Sequence, residues 1–103
     1  MTARRAADQN SPAGLTNLGW MYLLGLGSAK DEAASVALFE KASELGYAEA
    51  QYYLGQILTA GGVVPRDETH AAIWLRKAAS QGYVPAAQPL RDLCERGIRP
   101  ACE

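Results

Sequence analysis

Residues 67–83 read Asp67-Glu68-Thr69-His70-Ala71-Ala72-Ile73-Trp74-Leu75-Arg76-Lys77-Ala78-Ala79-Ser80-Gln81-Gly82-Tyr83, and the stretch has an earlier counterpart. Moved back 36 positions it falls on residues 31–47. Asp67 then meets Asp31, Leu75 meets Phe39, Lys77 meets Lys41, Ala78 meets Ala42, and Gly82-Tyr83 meets Gly46-Tyr47. The same step carries Leu54-Gly55 onto Leu18-Gly19 and Gly61 onto Gly25. Self-similarity at a fixed period of roughly 20 to 50 residues marks a repeat array.

Outward from this stretch, each period divides into two amphipathic helices. In repeat one (13–48), Gly14, Asn17, Leu18, Met21 and Tyr22 form one stripe at helical spacing. Gly25-Leu26-Gly27 ends that helix, and Asp31 stands where an N-cap accepts from free backbone amides. Ser35, Leu38, Phe39 and Ala42 make the buried stripe of the second helix, which Gly46 stops. Repeat two (49–84) follows with Ala50, Tyr53, Leu54, Ile57 and Leu58, then Asp67 as cap and Ala71, Trp74, Leu75 and Ala78 as second stripe. Buried Trp74 is expected to be the costliest side chain to truncate, at about 3–5 kcal/mol. Gly19 and Gly55 let the paired helices approach closely, and connections this short imply antiparallel neighbours.

Half units flank the two repeats. Arg5 to Asn10 aligns with Lys77 to Gly82 two periods away, so residues 1–12 read as the remnant of a preceding second helix. Residues 85–103 open a third unit: Pro85 suits a first helical turn, and Ala86, Leu90, Leu93 and Cys94 continue the stripe. Gly97 takes the slot of Gly61, and no second helix follows. A lone helical hairpin cannot cover both its faces, so an all-α solenoid follows.

The chain of 103 residues is of one domain's length. A formal charge of −1 and a pI near 5.8 leave no clustered basic footprint for nucleic acid. No apolar run approaches the ~20 residues of a membrane span. The start, Met1-Thr2-Ala3-Arg4-Arg5, has no apolar run behind it and does not read as a signal peptide, which slightly favours the cytoplasm.

The pattern Ala50-Gln51-Tyr52-Tyr53-Leu54-Gly55, then Gly61-Gly62-Val63, Asp67, Ala71, Trp74 to Ala79 and Gly82, resembles the Sel1-like repeat. Repeat one departs from that pattern at Ala34 and Ser35, at Leu38 in place of an aromatic, and at Ser43 in place of Ala. Tetratricopeptide repeats are near neighbours, but have a period of about 34 and usually lack the Gly-rich loop. The resemblance implies an adaptor or scaffold that binds a protein or peptide, and the residues themselves show no enzyme constellation, no ligands at metal spacing from His70 and no phosphate loop that would call for a cofactor. In related arrays the first helices line a concave groove. On that face stand Thr16, Trp20 and Leu23 in repeat one, Tyr52, Gln56 and Thr59 in repeat two, and Gln88, Asp92 and Glu95 in the third unit. Trp20 and Tyr52 are the expected anchors, Gln56 and Gln88 the hydrogen-bonding groups, and Asp92 and Glu95 the selectors of basic partners. Trp20 alternatively packs on Tyr52 or a neighbouring helix and only completes the array.

Two other readings stand beside the adaptor. Uncovered apolar faces around Leu90 and Leu93 would make the chain a homodimer through its ends. Cys94 with His70, the single histidine, would make a thiol enzyme, although Cys94 in a stripe position reads by default as a buried structural thiol. Cys94 and Cys102 are also candidates for a local disulfide. Some secreted members of the resembled family are held by cysteine pairs, and such a bond would imply an oxidising compartment.

Overall fold

The structure is a computed structural model that describes residues 11–27 and 29–102. The expected remnant helix at residues 1–12 lies almost wholly outside the described residues. Four helices of 13 residues come first: α1 (Pro12–Leu24), α2 (Glu32–Glu44), α3 (Ala48–Ala60) and α4 (Glu68–Ser80). A 3-10 turn (Val84–Ala86) then leads into α5 (Ala87–Glu95), and a one-turn α6 (Arg99–Cys102) follows. The described residues contain no strand.

Both repeats use the same local chemistry to make their helices. Asp31 Oδ1 accepts from the Ala34 amide and Asp67 Oδ1 from the His70 amide, both at 3.0 Å, so each second helix has one orphan donor satisfied. Each loop before these caps is tied back in the same way: the Asp31 amide donates to Tyr22 O and the Asp67 amide to Leu58 O, both at 2.9 Å. Helix α1 packs on α2, α3 on α4, and α2 on α3, while α4 receives both α5 and α6. The result is one layer of paired helices.

Glycine sets the closeness of each pair. A Cβ on Gly55 would lie 2.6 Å from Leu75 Cγ, and one on Gly19 would lie 3.0 Å from a ring carbon of Phe39. Phe39 and Leu75, both fully buried, fill the space that these glycines leave. The residues about one turn before each glycine share its face and are buried with it. The buried set of α1 is therefore Gly14, Leu15, Thr16 and Gly19, and that of α3 is Ala50, Gln51, Leu54 and Gly55. The stripe expected for α1 was turned too far, for Asn17 is exposed and Met21 and Tyr22 are half-buried.

Trp74 also corrects the expectation. Leu75 holds the core slot against Gly55, and one residue earlier the helix has turned by about 100°. Trp74 is accordingly half-buried at the edge of α4, with Lys77 Nζ 4.8 Å from its ring centroid.

The third unit closes differently from its expected register. The Gly97 amide donates to Cys94 O at 2.9 Å and the Ile98 amide to Leu93 O at 3.0 Å. The same pair of bonds ends α2, through Gly46 and Tyr47, and α4, through Gly82 and Tyr83. Gly97 thus behaves as Gly46 and Gly82 do, in the left-handed region at φ 89°, rather than as Gly61. Ala101 then falls in the slot of Ala50 and Ala86, and all three are buried.

The apolar end face expected around Leu90 and Leu93 is consequently covered. Leu93 is 1% exposed and shares a core with Ala71, Ala72, Leu75, Ala78, Ala86 and Ala101, against which Leu90 and Ile98 pack. Helix α6 folds back onto α4 and is held by the Cys94–Cys102 disulfide, with a Cα–Cα distance of 4.8 Å. Cys94 is therefore not the free structural thiol of the default reading. A homodimer through an open Leu93 patch loses its basis at this end of the array.

Candidate interaction groove

Helices α3 and α5 occupy equivalent places in successive units but barely touch, because α5 leans on α4. Between them lies a groove of about 210 Å³ lined by Gln56, Thr59, Gln88, Pro89, Asp92, Leu93 and Arg96. Four of the nine expected face residues, Gln56, Thr59, Gln88 and Asp92, meet there. Gln88 Nε2 donates to Asp92 Oδ1 at 2.8 Å, which fixes the carboxylate one turn along α5. The Thr59 hydroxyl donates to Gly55 O at 2.8 Å, which leaves its oxygen able to accept. Gln56 Nε2 donates to the Tyr52 hydroxyl at 3.4 Å, so Tyr52 borders the groove.

The other expected residues sit elsewhere. Thr16 is 2% exposed and its hydroxyl donates to Pro12 O at 2.8 Å, so it is closed to a partner. Its place directly beside the buried Leu15 explains the failure of that expectation. Half-buried Leu23 and exposed Glu95 do not line the groove. Trp20 is half-buried and packs edge-on against Phe39 at 5.6 Å and Tyr53 at 4.6 Å between ring centroids. It binds the first repeat to the second, with Tyr53 in the role expected of Tyr52.

Charge in the groove is unevenly compensated. Glu68 receives Arg66 at 3.0 Å and also pairs with Arg96, and the Arg66 hydrogen bond leads in holding its carboxyl below the ordinary value. Arg96, exposed at the groove lining, is thus already matched. Among the described residues, no ion pair engages Asp92 or Glu95. Sequence reasoning missed Pro89 and Arg96, although Arg96 follows Asp92 by four residues and so shares its helix face.

His70 and Cys94 do not assemble a nucleophile and base. Exposed His70 turns its Nδ1 to Asp67 Oδ2 at 2.6 Å, and the sulfur of Cys94 is bonded to Cys102.

The sequence pattern of the Sel1 repeat matches residues 12–47 and 48–83, which is most of the chain. The chain belongs to the Sel1 repeat family. Sel1 repeats are generally protein–protein interaction modules and typically non-catalytic scaffolds. A Sel1 repeat protein from Oxalobacter formigenes, known from a crystal structure, is 40% identical and superposes with a TM-score of 0.84, over 87% of this chain and 68% of that one. The chitin synthase regulator SKT5 of Malassezia restricta is 31% identical over 84 residues, covering 79% of this chain and 6% of that protein. Chitin synthase regulatory factor 3 of Schizosaccharomyces pombe is 30% identical over 103 residues, covering 97% of this chain and 11% of that protein. This Sel1 segment therefore spans a small part of the length of these curated relatives. No helix among its described residues is long and apolar enough to cross a membrane.

Proposed function

We propose that this Sel1 array is an adaptor module that takes an extended protein segment in the groove between α3 and α5. The observation that carries the reading is the convergence of Gln56, Thr59, Gln88 and Asp92 on one groove. Amide side chains offer both donors and acceptors, which suits the unpaired backbone of an extended peptide. Two relatives bear the names of regulators of an enzyme, which accords with an adaptor role. The Cys94–Cys102 disulfide favours an oxidising compartment over the cytoplasmic location expected from the N-terminus.

A positional-scanning peptide library screened by fluorescence anisotropy tests the groove. The Gln56→Ala/Gln88→Ala chain should bind the selected peptides at least about tenfold more weakly, the loss of one or two net hydrogen bonds. Its melting temperature should stay close to that of the parent, because both side chains are exposed. Undiminished binding by the double variant would sink the proposal.

A further inference from the structure

A second group of side chains adjoins the groove, centred on Glu49, to which the sequence assigned no role. Glu49, in the first turn of α3, accepts from the Tyr47 hydroxyl at 3.2 Å through Oε1 and from the Tyr53 hydroxyl at 3.1 Å through Oε2. The Tyr52 ring packs against Tyr53 at 5.3 Å and against Tyr83 at 5.4 Å between centroids. All of these residues are half-buried. Both carboxylate oxygens therefore have donors, yet every donor is a neutral phenol. Hydrogen bonds of this kind occupy lone pairs and leave the negative charge in place. Among the described residues no ion pair reaches Glu49.

The rings add to that field, which the N-terminal end of α3 offsets only in part. An aromatic face carries negative potential and attracts a cation, the more so where water is partly excluded. The phenols also stay neutral around the carboxylate: burial first, and then the charge of Glu49, raise Tyr47 and Tyr83 above the ordinary tyrosine value. Burial first, then the hydrogen bond to Glu49 and its charge, push Tyr53 up to about 12. A half-buried carboxylate held by two neutral donors, beside a Tyr52 ring packed against Tyr53 and Tyr83, is complementary to a cation on a flexible stem.

We propose that Glu49, with Tyr47, Tyr52, Tyr53 and Tyr83, forms a socket for a lysine or arginine side chain of the segment bound in the groove. This inference rests on the groove reading and narrows its partner to a basic one. Tyr52 joins the two sites, since Gln56 in the groove donates to its hydroxyl. Gln56 follows Glu49 by two helical turns, about 10 Å along the axis, and Asp92 is the equivalent of Gln56 one period on. A polyproline II segment rises about 3.1 Å per residue and brings positions i and i+3 to the same side, about 9 Å apart. A residue bound at Glu49 therefore stands about three residues from one bound beside Gln56, in the groove that Asp92 also lines.

The test titrates the 15N-labelled full chain with acetyl-Pro-Lys-Pro-Pro-Lys-Pro-amide and with the same peptide carrying glutamine for both lysines. The lysine peptide should shift the amides of Glu49, Tyr52, Tyr53 and Tyr83 saturably. The glutamine peptide should bind at least about fivefold more weakly, as expected for loss of a partly desolvated ion pair with cation–π contact. Glu49→Gln, which keeps an acceptor for one phenol, should lose the same factor. Equal affinity for the two peptides overturns the socket, and this comparison needs no variant to fold. Shifts confined to Gln56, Thr59 and Gln88 also overturn the socket but leave the groove standing. Absence of saturable shifts at either place overturns the socket, and the library screen then judges the groove alone.

Discussion

Phe39 and Trp74 show how one residue of offset decides energetic weight. Phe39 has no exposed surface, fills the space above Gly19 and meets the edge of Trp20. Trp74 is the larger side chain but lies one step round its helix from the core slot, which Leu75 takes. Burial and cavity formation set the cost of truncation, so size alone misleads. Phe39→Ala should cost about 3–5 kcal/mol, whereas Trp74→Ala should cost about 1 kcal/mol, the typical value for a single substitution. Urea midpoints of the two variants check the order, and a larger loss from Trp74→Ala would contradict the packing described. Thr16 follows the same logic, since its neighbour in the buried set closes it to the solvent side expected of it.

Among the elements, α6 carries the clearest consequence. It has a single turn and gains little from its own backbone hydrogen bonds. Its retention depends on the apolar contacts of Ile98 and Ala101 and on the bond from Cys102 to Cys94. In the chain-entropy account a cross-link spanning 8 positions contributes about 2–3 kcal/mol. Reduction should therefore speed amide exchange at Ala101, whose amide donates to Ile98 O at 3.0 Å, while exchange at Leu54 stays slow. Equal acceleration at both amides would show that α6 unfolds only with the whole chain. If neither changes, the apolar contacts alone suffice to hold it.

At the scale of the whole molecule, stability in an array is a sum of repeat and interface contributions. Gln51 is the polar element of the interface between the two repeats. It is 3% exposed, donates through Nε2 to Ser43 O at 3.1 Å and accepts from Gln81 Nε2 at 2.9 Å. One side chain thus ties the end of α2 and the end of α4 to the start of α3. Gln51→Ala leaves the Ser43 carbonyl without this donor in a buried setting, at a cost of about 1–3 kcal/mol. The repeats should also unfold less in concert, which would appear as a lower apparent slope in urea as well as a lower midpoint. A variant with unchanged slope and midpoint would remove Gln51 from this role.

The period of 36, the Asp31 and Asp67 caps and the close approaches at Gly19 and Gly55 were legible in the sequence, because local backbone chemistry repeats wherever its residues repeat. That Gln56 and Asp92 hold equivalent positions was legible for the same reason, since they are one period apart. Tertiary structure alone decided what depends on contacts between distant segments. Gly97 suits either kind of turn, and only the carbonyls that accept from Gly97 and Ile98 distinguish them. Leu93 looked open because nothing local announces that α6 returns to cover it. The phenols of Tyr47 and Tyr53 reach Glu49 as neighbours in sequence, whereas Tyr83, in the turn after α4, meets Tyr52 only because the helices stack. Periodicity is a property of neighbours along the chain, whereas burial and charge balance are properties of neighbours in space.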